Sequence, residues 1–161
     1  QGAALFDSMN VEENVGFPLT MFSNKSNLEI KKRVDFCLER VNLSGKNSLL
    51  PSECSGGMQK RIGIARAISM NPKYLFCDEP NSGLDPQTAI VIDQLIVDIT
   101  REYQMTTVVV SHDMNSVMEA SDTIHFVHQI CCVAENNWLH INHDRFCWCG
   151  CVLRGCGALV I

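Results

Sequence analysis

Apolar residues at Ile30, Val34, Cys37, Leu38 and Val41 recur at three- and four-residue steps, which predicts a helix with one buried face. Ser26 and Glu29 have the spacing of a reciprocal N-terminal cap for it, and Gly45 is the expected stop. Asn10 and Glu13 repeat that spacing upstream, with Val11 and Val15 on one side, so a shorter helix is expected there, ended by Pro18. Residues 19–27 then read as polar loop. A third stripe, Met58, Ile62, Ala65 and Ile68, leaves Lys60, Arg61 and Arg66 largely off its face, and Asn71-Pro72 stops it. A fourth runs from Gln87 to Tyr103 through Ala89, Ile92, Leu95, Ile96 and Ile99.

Two short runs lack this period. Lys73–Cys77 is apolar after its first residue and Thr106–Val110 is β-branched, as in strands of a buried parallel sheet. With a helix between them they predict a strand–helix–strand unit with a right-handed crossover. Gln1–Phe6 reads as a strand end entering a loop, residues 115–120 as a short helix and Thr123–Val127 as a further strand. After Gln129 the periodicity stops.

Candidate chemistry collects where the two strands end. The first delivers adjacent carboxylates, Asp78 and Glu79, to the edge of the sheet at which open α/β folds bind ligands. Neighbouring residues at a strand end point in different directions, so one carboxylate can hold a hard cation such as Mg²⁺ while the other faces a reacting water. His112 follows the second strand and falls at the same edge. Ser55-Gly56-Gly57 opens the third helix, where two glycines let a phosphate approach backbone N–H groups at the positive end of the helix dipole. Each segment also has a plainer reading: an acidic turn, a polar histidine, a serine cap. Asp85, likewise, is a natural N-cap for a helix begun by Pro86.

Composition narrows the field. A chain of 161 residues is long enough for one domain burying roughly 70% of its unfolded surface. The net charge of −5, with no strongly basic stretch, proposes no nucleic-acid partner. No apolar run reaches the roughly 18 residues of a spanning helix. Of nine cysteines, Cys37, Cys54 and Cys77 are scattered, as in a reducing cytosol; the other six, with Trp138 and Trp148, crowd the end.

In order and spacing, Cys54-Ser-Gly-Gly-Met-Gln-Lys-Arg61, Tyr74-Leu-Phe-Cys-Asp-Glu-Pro-Asn-Ser-Gly-Leu-Asp85 and Val108-Val-Val-Ser-His-Asp113 resemble the nucleotide-binding subunit of ATP-binding-cassette (ABC) proteins. The likeness covers residues 1 to about 128. It implies an α/β, partial P-loop NTPase fold, with a helical subdomain at about 7–60 and a parallel sheet core at about 61–128. It implies ATP and Mg²⁺ as cofactors: Glu79 as general base, His112 contacting the γ-phosphate, Asp78 supporting Mg²⁺ through water, and Gln1 reaching both metal and attacking water. Ser55, Gly56 and Gly57 would contact the ATP held by a second copy, and Ser82–Asp85 would cross that dimer interface. Cys54 and Met58 depart from the family's usual Leu and Gln. Gln1 with the following Gly-Ala-Ala-Leu-Phe-Asp, and Glu13-Asn-Val-Gly-Phe-Pro-Leu19, resembles more narrowly the ATPases of bacterial lipid-trafficking importers of the Mla, or mammalian-cell-entry-linked, type. The expected partners are a second ATPase subunit and an integral membrane permease, at the cytoplasmic face of the plasma membrane.

The phosphate-cradling loop Gly-x-x-x-x-Gly-Lys-Ser/Thr is absent: Gly45-Lys46 has Arg40 and Asn47 at the flanking positions. The chain is therefore expected to be a truncated piece that is inactive alone. Residues 129–161 are expected to be out of frame or disordered. A zinc module of His140, His143, Cys147, Cys149 and Cys151 has the wrong spacing for structural zinc. Two other functions fit less well: a non-catalytic module docking on a membrane subunit, and a non-transporter ABC ATPase, whose usual coiled-coil insertions or basic linkers are not visible.

Overall fold

The computed structural model describes residues 3–113, 117, 121–124 and 151–153. Four helices carry nearly half of them: α1 (Val11–Phe22), α2 (Asn27–Arg40), α3 (Gly56–Ile68) and α4 (Pro86–Tyr103). They stand against a sheet of β1 (Tyr74–Asp78), β2 (Thr106–Val110), β3 (Thr123–Ile124) and β4 (Cys151–Leu153) in the order β1-β2-β4-β3.

Local chemistry explains the helix starts. The Asn10 side chain accepts from Glu13 N–H, and the Glu13 carboxylate accepts from Asn10 N–H, each at 2.8 Å. Ser26 and Glu29 form the same reciprocal cap. These contacts satisfy N–H groups that the first turn leaves unpaired. Val11, Val15 and Leu19 of α1 meet Val34, Cys37 and Leu38 of α2, Ile62, Ala65 and Ile68 of α3, and Ile92, Leu95, Ile96 and Ile99 of α4 in one core.

The helix ends correct three expectations. Pro18 lies inside α1, which runs on to Phe22 and takes part of the anticipated loop with it. Leu19 is 1% exposed, so burial of this one side chain after the proline outweighs the lost backbone hydrogen bond. The second helix ends at Arg40, before Gly45, because Asn42 adopts a left-handed conformation (φ 56°). There Leu43 N–H donates to Leu38 O at 2.8 Å and Asn42 N–H to Glu39 O at 3.0 Å, closing the last turn. Arg33 of α2 reaches the end of α3, donating to Ile68 O (2.9 Å) and Ser69 O (3.0 Å) and to the Asn71 side chain. Its guanidinium also lies over the rings of Phe36 and Tyr103, and Arg40 pairs with Glu102 of α4 at 3.0 Å.

β1 and β2 run parallel with Tyr74 opposite Thr106 and Asp78 opposite Val110, joined through α4 as the alternation required. β4 pairs antiparallel with both β2 and β3, so the sheet is parallel at its β1–β2 core and antiparallel beyond it. β2 is buried over Thr106–Val109, as expected, but β1 is not. Tyr74 is 64% and Phe76 74% exposed, because among the described residues no element covers that face and β1 ends the sheet. Residues 115 and 116, 118–120 and 125–127, parts of the predicted short helix and last strand, lie outside the described residues, as does all of the 129–161 segment except Cys151–Leu153.

Candidate active site at the strand ends

Asp78 closes β1 and is exposed. The next residue, Glu79, turns into the left-handed region with φ 48°, a conformation that costs a non-glycine residue about 1–2 kcal/mol. Hydrogen bonds on both sides of the residue hold it there. Glu79 N–H donates to Val110 O of β2 at 2.9 Å, and Glu79 O accepts from Ser82 N–H and from Lys60 Nζ, each at 3.1 Å. This turn swings the Glu79 side chain toward the end of β2, where its Oε1 lies 2.7 Å from His112 Nδ1.

The Glu79 side chain is 19% exposed and that of His112 74%. Hydrogen bonding to the Glu79 carboxylate, together with its charge, raises the His112 pKa above the ordinary imidazole value. The pair can share or exchange a proton at the mouth of an open cleft that Ser82, Gly83, Leu84 and Ser111 also line. Such a carboxylate–imidazole pair is suited to accepting a proton from water.

Two helix starts converge beside this cleft. Ser55 caps α3, its Oγ accepting from Met58 N–H at 3.3 Å, and Asp85 caps α4, its Oδ1 accepting from Thr88 N–H at 3.0 Å. The bond to Thr88 holds the Asp85 carboxyl below its usual range. Gly57 makes the approach between them possible, and Gly56 leaves room beside it. A Cβ on Gly56 would sit 3.4 Å from Leu84 Cδ2, and one on Gly57 only 2.7 Å from Thr88 Cγ2. Gly83, at φ 76°, turns the connecting segment, and Asn81 Nδ2 donates to Asp93 Oδ1 at 2.7 Å.

Glu79 and His112 thus come together, Asp78 directly precedes Glu79 in sequence, and Ser55–Gly57 abuts the Leu84–Thr88 segment. Gln1 lies outside the described residues. The segment after it is held from two sides: Arg66 of α3 donates to Ala3 O and Ala4 O, each at 3.0 Å, and buried Asn14 exchanges hydrogen bonds with Phe6. Among the described residues no three His, Cys, Asp or Glu side chains converge as a metal cage. A strand-end carboxylate without a cage fits Mg²⁺, which keeps waters and takes one or two carboxylates alongside substrate phosphates. Lys60, Arg66 and Asn14 carried no signal as site-supporting residues; Lys60 and Arg66 read as polar-face cations, and their targets are backbone carbonyls distant in sequence.

The family model described as ABC transporter matches residues 1–82, half of the chain, a stretch that includes Ser55–Gly57, Asp78 and Glu79. The chain belongs to the ABC transporter family. Among ABC relatives, the methionine import ATP-binding protein MetN 1 of Pseudomonas putida is 43% identical over 120 residues, which are 74% of this chain and 36% of that protein. The probable ribonucleotide transport ATP-binding protein mkl of Mycobacterium leprae is 41% identical over 124 residues, 77% of this chain and 36% of that one. The chain therefore spans about a third of the length of these relatives. Its fold matches the dimeric ATP-binding cassette MJ0796 in a post-hydrolysis state bound to ADP and Pi, with a TM-score of 0.63 and 35% identity over 72% of this chain and 51% of that one. The chain thus carries part of an ABC ATP-binding domain, and its α/β architecture with parallel β1 and β2 is consistent with a P-loop NTPase fold. No helix among its described residues is long and apolar enough to cross a membrane.

Proposed function

We propose that this chain serves in the ATP-binding and hydrolysing subunit of an ABC transporter, powering transport through a membrane permease. The observation that carries the reading is the 2.7 Å Glu79–His112 pair at the ends of two parallel strands, in a chain of this family. Glu79 is the general base for the attacking water. His112 contacts the γ-phosphate and steadies the carboxylate. Asp78 would hold Mg²⁺ through water, and Gln1 would reach the same metal and water. Bound Mg²⁺ neutralises charge on the nucleotide phosphates.

In this reading two copies form a sandwich, and the Ser55–Gly57 N–H groups of one face the ATP bound mainly by the other. The dipole of α3 favours the anion at that end. Ser82–Asp85 crosses the interface. A permease fits the turn between α1 and α2, where Met21, Phe22 and Leu28 are 59%, 75% and 64% exposed. The subunit would then sit on the cytoplasmic side of the membrane that holds the permease. A lipid is the cargo favoured by the likeness of the first nineteen residues to lipid-trafficking ATPases, whereas the relatives above are named for methionine and ribonucleotides.

The test is Mg-ATPase turnover of the full-length polypeptide and its Glu79→Gln variant. General-base assistance is worth about 10²–10⁴ in rate, so the variant should lose at least about 10²-fold in kcat while still binding ATP. A variant with undiminished turnover would remove Glu79 from the role, and an inactive parent under dimerising conditions would favour a non-catalytic docking module. Residues 1–161 alone, lacking the phosphate loop in their sequence, should not turn over.

A further inference from the structure

Lys60 projects from α3 one turn beyond Ser55–Gly57 and ends on the turn that carries Glu79. Its Nζ donates to Glu79 O at 3.1 Å and to Ser82 Oγ at 3.2 Å. Glu79 is the only residue of this turn outside glycine with a positive φ, and its remaining anchors come from β2 and from the turn itself. Lys60 is therefore the contact that ties this strained peptide to α3. Its ammonium adds a charge-assisted hydrogen bond to a carbonyl already engaged by Ser82 N–H.

We infer that Lys60 is a positioning residue: it fixes the Glu79 backbone, and so the carboxylate, relative to the helix whose start faces nucleotide. The inference rests on Glu79 being the base. It adds that a shift of α3, when Ser55–Gly57 engages the phosphate of the opposite site, is transmitted to the carboxylate of the same chain. The hydrogen bond from Lys60 of α3 to the Glu79 carbonyl is the link that carries it.

The experiment compares Lys60→Met, Lys60→Arg and Ser82→Ala in the full-length ATPase, with Glu79→Gln alongside, reading kcat, KM for ATP and thermal midpoint. Met keeps the length of the stem and removes the donor; misplacing a reacting group by about 1 Å can cost up to about 10²-fold in rate. Lys60→Met should lower kcat about tenfold with KM for ATP little changed, Lys60→Arg should restore most of the loss, and Ser82→Ala should cost less than Lys60→Met. If Glu79→Gln abolishes turnover while Lys60→Met keeps the parental kcat, the positioning role is overturned and the base survives. A Lys60→Met effect confined to KM, or lost with the thermal midpoint and not recovered by Arg, also overturns it. Undiminished turnover in Glu79→Gln overturns the base reading and this one together. Should Lys60→Met fail to fold, Lys60→Gln with the same readouts decides the matter.

Discussion

Gly57 and Gly56 are adjacent at the start of α3, yet the structure gives them different reasons for being glycine. A Cβ on Gly57 would lie 2.7 Å from Thr88 Cγ2, which is 0.7 Å inside the 3.4 Å at which ordinary contact begins. Thr88 is β-branched and stands in the first turn of α4, so its methyl cannot simply swing aside. Overpacking of this kind costs about 1–3 kcal/mol, and replacing glycine by alanine in a helix returns up to about 1 kcal/mol. Gly57→Ala should therefore be destabilising by about 1–2 kcal/mol, read as the shift in urea midpoint at constant slope by circular dichroism. Thr88→Ser removes the opposing methyl and leaves the backbone N–H that Asp85 caps. In that background Gly57→Ala should become neutral or slightly stabilising. A Gly57→Ala protein more stable than its parent, or a cost unchanged by Thr88→Ser, would refute the steric argument. Gly56→Ala supplies the contrast, since its Cβ meets only the end of the flexible Leu84 side chain at 3.4 Å. It should leave stability within about 0.5 kcal/mol, so any loss of ATP turnover there reports on the approach of phosphate to the backbone.

Two further outcomes concern His112 and Asn14. His112 should titrate above the ordinary imidazole value by NMR, and Glu79→Gln should bring it back down. Since the folded-state pKa is raised, the stability it lends is fully present below the ordinary value and is lost as pH rises through the raised one. The difference in thermal midpoint between parent and Glu79→Gln should shrink across that window; a difference that grows with pH would contradict the pairing. Asn14, fully buried, accepts from Phe6 N–H at 2.8 Å and donates to Phe6 O, Met9 O and Asn10 O. Asn14→Ala strands buried groups at about 1–3 kcal/mol, so residues 3–10 should lose hydrogen-exchange protection before α2 does.

Helices with a polar cap and a regular apolar stripe were legible in the sequence, because both signals are local: Asn10 with Glu13, Ser26 with Glu29, and Asp85 ahead of Pro86 all became caps. The strand–helix–strand unit was legible for the same reason, and with it the shared edge that brings Glu79 to His112. What escaped was decided at a distance. Pro18 reads locally as a stop, and only the burial of Leu19 shows why the helix continues. Asn42 ends α2 although Gly45 is the stronger local signal. Lys60 looks like any lysine on a polar face until a carbonyl 19 positions away arrives beside it.

The bare face of β1 has a bearing on how the chain behaves in a tube. Tyr74 and Phe76 stand in solvent on the strand that ends the described sheet, beside the apolar Leu75 and Cys77. Such a strand, rich in aromatics and without a charge before Asp78, is a template for a neighbouring molecule's backbone. Concentrating the purified chain thus favours edge-to-edge association at the very strand that presents Asp78 and Glu79, and the first loss would be accessible active site, ahead of visible precipitate.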